Sequence, residues 1–227
     1  MKKYKLQIGG GKTRQSNIEL CRIISILLVV LVHANYGFQG WPTSINSVYV
    51  PSLFVESLAI IGVNVFVLIS GYFSIKPKIS SIFNLFYICL FYAVFKVLIG
   101  CMHGTVHVEN MLFISDSNWF IVSYIGLMIF APMLNRYSEA LNKKNFVFLL
   151  GISLFFEAYY GWFPKFCSVE PGFQSGYSLL SFIVLYMIGR YLKFYGEPLW
   201  VKTHSLVIYF GCSFVISIMA YVQLMLM

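Results

Sequence analysis

Seven apolar runs, near residues 18–36, 53–74, 80–99, 119–135, 146–163, 177–192 and 203–226, constrain this chain more than any other feature. Each is about the length a helix needs to cross bilayer hydrocarbon, roughly 20 residues, with the fourth and sixth on the short side. Backbone in hydrocarbon must satisfy its own hydrogen bonds, so such runs fold as helices. Only 11% of the 227 residues are charged, against about 25% in soluble domains. The expected fold is therefore an all-α integral membrane protein, a polytopic bundle of about seven transmembrane helices.

Charge placement sets the expected orientation. Residues 1–16 form a basic, glycine-containing tail, which reads as cytoplasmic, and the membrane domain takes up 17–227. With the tail inside, all but Lys96 and Lys165 of the 16 Lys and Arg residues fall on the inner side. That is a strong positive-inside bias. It predicts a multi-pass protein of the cytoplasmic membrane whose last run ends outside. The net charge of +8 does not point to nucleic acid, because the basic residues are spread between apolar runs instead of forming one patch. A second reading of the start is a signal peptide cleaved after Ala34. First helices of multispanning proteins share that appearance, and a mature chain starting at Asn35 would lack the site described next.

The first run is bounded by Arg22 and His33. Eleven steps of a helix turn about 1100°, only about 20° past three full turns, and rise roughly 16 Å. Both side chains therefore share one face, separated by about half the hydrocarbon thickness. Ionisable groups on a spanning helix mark a functional site by default. Each also has a plainer reading. Arg22 can snorkel to cytoplasmic headgroups, paired with Glu19 three residues earlier. His33 can be satisfied by a neighbouring helix. In the second run, Asn64 needs a partner near the midplane, while Gly62, Ser70 and Gly71 permit close helix packing.

The five cysteines have no CxxC or metal-ligand spacing. Three lie within apolar runs as small packing residues. Cys101 and Cys167 fall on the external side, where a disulfide between them is conceivable. His103 and His107, with Glu109 and Asp116, occupy the same external loop. Their four-residue spacing would suit a metal, but a solvated polar loop accounts for them better, so no metal is expected.

Taken together, the residues from Ser16 to His33 resemble the first helix of the membrane acyltransferase 3 family, whose members carry an arginine, ten intervening residues and a histidine. Gly62-Val63-Asn64-Val65-Phe66-Val67-Leu68-Ile69-Ser70-Gly71-Tyr72-Phe73 resembles the family's second helix. Asn118-Trp119-Phe120-Ile121-Val122-Ser123-Tyr124-Ile125, with Pro132, is similar to its Trp-Phe helix, and the stretch from Phe182 to Tyr191 is similar to a later one. The first motif is the most specific, because apolar helices look alike.

The resemblance implies a transferase that moves an acyl group, commonly acetyl, from cytoplasmic acyl-CoA to a hydroxyl of a cell-surface polysaccharide or other envelope glycan. It makes Arg22 and His33 the essential pair. Imidazole titrates near neutral pH, so His33 suits a general base on the acceptor hydroxyl. Arg22, always charged, suits the phosphates of CoA. Arg190 would offer a second phosphate contact, although positive-inside topology explains it fully. The resemblance makes Trp119 and Tyr124 a platform for a sugar ring; without it, both read as interfacial anchors. Glu157, an acid among Phe156, Tyr159 and Tyr160, would sit near the acceptor or be an interfacial carboxylate. No bound cofactor is implied, since acyl-CoA is the donor substrate.

Family members have about ten spanning helices, against seven runs here. The expectation is a truncated reading frame or a short form that associates with a second chain. The competing functions are a transporter or flippase of envelope precursors and an inactive, truncated family member.

Overall fold

The structure, a computed structural model, describes residues 16–39, 49–104, 119–162, 176 and 178–225. The described residues are helical apart from short turns and connections. The long helices are α1 (Ser16–Gln39), α2 (Val50–Ala59), α3 (Gly62–Phe73), α4 (Ile79–Met102), α5 (Trp119–Ala140), α6 (Lys143–Trp162) and α7 (Leu179–Tyr195). A single turn, α8 (Leu199–Thr203), leads into α9 (Ser205–Met225). Each of the seven apolar runs carries helix. Among the described residues, five segments are long and apolar enough to cross a membrane: Ser16–Asn35, Val50–Phe73, Ile79–Met102, Trp119–Ala140 and Ser205–Val222. By that measure α6 and α7 fall outside the set, α7 having only 17 residues.

The second run is not one straight helix. Pro51 opens α2 in its first turn, where a missing N–H leaves no bond unmade. The helix breaks at Ile60 and Ile61, and α3 restarts at Gly62. The glycine matters there because α1 crosses against it. A Cβ on Gly62 would lie 2.8 Å from the Ser25 carbonyl oxygen and 3.1 Å from side-chain carbons of Leu28 and Val29.

The centre of the bundle is α7, which packs against α3, α5 and α6. The α3–α7 crossing is closest at two glycines: a Cβ on Gly71 would run into the Tyr186 carbonyl, and one on Gly189 into that of Leu68. Small residues let backbones meet this way where lipid supplies no hydrophobic drive for association. Val67, Leu127, Ala131, Phe182 and Tyr186 fill the core between α3, α5 and α7. On the other side of α3, α1 packs against α3 and α2, and α9 packs against α2. By contrast, α4 lies against no helix to a comparable extent, and its apolar side chains are almost all exposed.

Polar groups tie one end of the bundle together. The α3 helix stops at Ser74, a non-glycine residue at φ +68°. This sparsely allowed backbone is followed by a residue bonded on both sides. The Ile75 N–H donates to the Tyr186 hydroxyl (3.0 Å), and the Ile75 carbonyl accepts from Asn135 Nδ2 (3.1 Å). The Tyr186 hydroxyl closes the ring by donating to Asn135 Oδ1 at 2.7 Å. One turn on, Arg190 Nε donates to Ser138 Oγ (3.1 Å) and its Nη2 to Glu139 (3.3 Å), while the guanidinium lies over Phe194. Arg22 over Phe73, Lys193 over Tyr72 and Lys143 over Tyr195 lie at this same end. It is the end that the charge count assigns to the inner side.

Candidate functional site

Helix α1 runs unbroken through both Arg22 and His33, so the face inferred from their spacing exists. Ser25 is buried on it, and Arg22, Val29 and Val32 are half-buried around it. At its basic end Arg22 donates from Nη1 to Glu19 at 2.8 Å, the pairing expected from the three-residue spacing. Both side chains are more than a third exposed, and the guanidinium also stacks 5.5 Å from the Phe73 ring centre. The cation is thus oriented by α3 yet still open at the end of the bundle.

At the other end of α1, His33 is exposed, with Nδ1 2.8 Å from the Val29 carbonyl oxygen. A carbonyl only accepts, so that contact makes Nδ1 the protonated nitrogen. In the neutral ring this tautomer leaves the lone pair on Nε2, the state a general base requires.

Next to His33 lies a polar cluster contributed by α1 and α2. Asn35 Nδ2 donates to the Ser52 carbonyl at 2.9 Å, and Ser52 Oγ donates back to Asn35 Oδ1 at 2.6 Å. The same Asn35 amide reaches Glu56 Oε2 at 3.4 Å. Glu56 is buried, is an electrostatic neighbour of His33, and its Oε1 is closed off with no hydrogen-bond partner among the described residues. From the far side of α2, the Tyr209 hydroxyl donates to the Leu58 carbonyl at 2.6 Å, fixing α9 against the turn that carries Glu56.

Sequence reasoning passed over Glu56, Asn35 and Ser52. A signal was there for one of them, since Glu56 is an acid inside an apolar run of spanning length. Nothing in the local pattern marks Asn35 or Ser52, because their significance lies in each other across an interhelical gap.

The remaining candidates are placed elsewhere. Trp119 and Tyr124 sit on α5 among the rings of Phe66, Phe120 and Phe182, with the Tyr124 and Ser70 hydroxyls 3.1 Å apart. Their faces serve the α3–α5–α7 packing. Glu157 is on the face of α6 that meets α7, with Ser181 as its polar neighbour and both carboxylate oxygens buried. Ser178 caps α7 there, accepting from the Ser181 N–H at 3.2 Å. Arg190 is buried in the bonds described above. Cys101 is a free, exposed thiol at the end of α4, and His103 follows it as the helix cap. Cys167, His107, Glu109 and Asp116 lie outside the described residues.

The arrangement therefore offers a basic end with an oriented but open arginine and an opposite end with an open imidazole beside a buried carboxylate. One helix connects them. A family model described as an acyltransferase domain, Acyl_transf_3, matches residues 15–227. No curated protein and no solved structure matches the chain.

Proposed function

The chain belongs to the acyltransferase 3 family and is a membrane acyltransferase, and from that premise we propose that it transfers acetyl from cytoplasmic acetyl-CoA to a hydroxyl of an envelope glycan. The observation that carries this reading is the state of His33: Nδ1 is occupied by the Val29 carbonyl, and Nε2 is available on an exposed ring. In the proposed step, Nε2 takes the proton of the acceptor hydroxyl as its oxygen attacks the thioester carbonyl. The new C–O bond forms, the C–S bond breaks, and the CoA thiolate leaves to be protonated as the free thiol. The histidine proton returns to solvent.

Arg22 holds the phosphate end of the donor. Guanidinium binds phosphate in bidentate fashion and stays charged throughout. Because Arg22 and His33 are roughly 16 Å apart along α1, they cannot both contact one carbonyl. A donor with its phosphates at one end and its thioester at the far end of a flexible arm suits such a pair. Arg190, bound to Ser138 and Glu139, contributes to the phosphate site by holding α5 and α7 together beside it.

Membranes containing the protein, supplied with radiolabelled acetyl-CoA, should label envelope glycan, and Arg22→Ala should abolish that labelling at donor concentrations that saturate the parent. Movement of glycan across the membrane without covalent label would favour a transporter and contradict the proposal.

A further inference from the structure

The mechanism above uses His33 and Arg22 but leaves the Glu56 cluster without a role. Glu56 is 7% exposed, yet its Oε1 has no donor. A buried carboxylate oxygen lacking a partner is expensive, and native structures rarely tolerate it without a reason. The rest of the cluster does not relieve it. Asn35 spends Nδ2 on the Ser52 carbonyl and Glu56 Oε2, and Ser52 spends its hydroxyl proton on Asn35 Oδ1. These bonds hold Glu56 in place while leaving Oε1 unpaired and sealed from solvent, so a ligand reaches it only by parting the cluster. The groups packed nearby from α9 do not fill it either, since the Tyr209 hydroxyl is committed to Leu58.

We propose that Glu56 Oε1 is the anchor for the acyl acceptor: one acceptor hydroxyl donates to it while a neighbouring hydroxyl of the same molecule reaches His33 Nε2. The proposal rests on the transferase reading and deepens it by assigning the acceptor's chemistry. His33 and Asn35 point about 200° apart on α1, but Glu56 both bonds Asn35 and is an electrostatic neighbour of His33, which puts the anchor within electrostatic reach of the base. An acceptor that satisfies both must carry adjacent hydroxyls, as a sugar ring or polyol does. A site built to receive a hydroxyl discriminates strongly against an analogue lacking it, because its own buried group is then left unpaired.

The test uses membranes carrying the full chain, radiolabelled acetyl-CoA and envelope glycan from the producing cells stripped of existing esters by mild base. Transfer to glycan is measured against both substrates, and release of acetate to water is measured without glycan, with all rates normalised to protein in the membrane. Glu56→Gln is expected to raise the glycan concentration for half-maximal rate at least tenfold. The acetyl-CoA requirement and the release of acetate to water should stay within twofold of the parent. Glu56→Asp, which keeps the charge, should recover part of the glycan affinity. An unchanged glycan requirement in Glu56→Gln would overturn the anchor assignment. So would an equal loss of glycan transfer and acetate release, which would mean that Glu56 only supports the base or the fold. Failure of the parent itself to transfer acetyl would instead overturn the transferase reading, whatever Glu56 does.

Discussion

The two ends of this bundle treat their polar groups in opposite ways. At the basic end, Tyr186, Asn135 and both backbone groups of Ile75 satisfy one another in a closed ring, and Arg190 is bonded to Ser138 and Glu139. At the other end, His33 is exposed and bonded through Nδ1, and Glu56 keeps an oxygen with no donor among the described residues. Buried polar networks that are complete rigidify a structure, whereas an unpaired buried polar group is costly. The comparison teaches that polarity within the membrane does not by itself identify a site. The first set holds helices together, and the second is the one to which we assign the acceptor. Arg22 stands between the two, at the knotted end but outside the knot.

The sharpest way to break the comparison is to attack the packing on which the knot depends. Gly189→Leu would drive a side chain into the Leu68 carbonyl and the backbone of Tyr72. It should destabilise the protein by at least about 3 kcal/mol, the upper range for overpacking, seen as loss of folded protein on detergent extraction. Recovery of normal amounts with the parental melting temperature would mean that α3 and α7 do not cross as described.

Tyr186→Phe removes one hydroxyl and leaves the Ile75 N–H and Asn135 Oδ1 each short of a partner. A loss of about 1–3 kcal/mol is expected, read as a lower melting temperature, with the acetyl-CoA requirement unchanged in the protein that remains folded. If donor affinity fell and stability did not, the knot would be part of the donor site. Arg22→Lys should show the reverse pattern. Charge is kept but the bidentate fork is lost, so the acetyl-CoA concentration for half-maximal rate should rise about tenfold, equivalent to ~1.4 kcal/mol, with little change in melting. The smallest effect belongs to Glu19→Ala. Its bridge to Arg22 is more than a third exposed on both sides, and such pairs contribute roughly 0–1 kcal/mol. A larger loss would assign Glu19 a part in orienting Arg22.

Much of this architecture could be read from the chain because lipid imposes simple rules. Apolar length set out the helices, the charge count identified the basic end, and the three-residue spacing of Glu19 and Arg22 matched a real bond. Less legible were events that depend on two distant segments meeting. The break at Ile60 and Ile61 lies inside a continuous apolar run, where hydropathy has nothing to register. Gly71 and Gly189 read as generic small residues until the carbonyls opposite them are known. Trp119 and Tyr124 read from their position as interfacial anchors, and their partly buried packing against α3 and α7 is visible only in the fold. Glu56 is the instructive omission. Its acidic character was visible, but the missing partner on Oε1 is a property of the folded neighbourhood alone.

Whether His33 is the base that activates the acceptor is decided by His33→Ala. Initial rates of acetyl transfer from radiolabelled acetyl-CoA to envelope glycan would be compared in membranes holding equal amounts of parent and variant. A lost general base should lower the rate about 10²–10⁴-fold, with the melting temperature and the acetyl-CoA requirement of any residual activity unchanged. Transfer at the parental rate by His33→Ala would contradict the assignment.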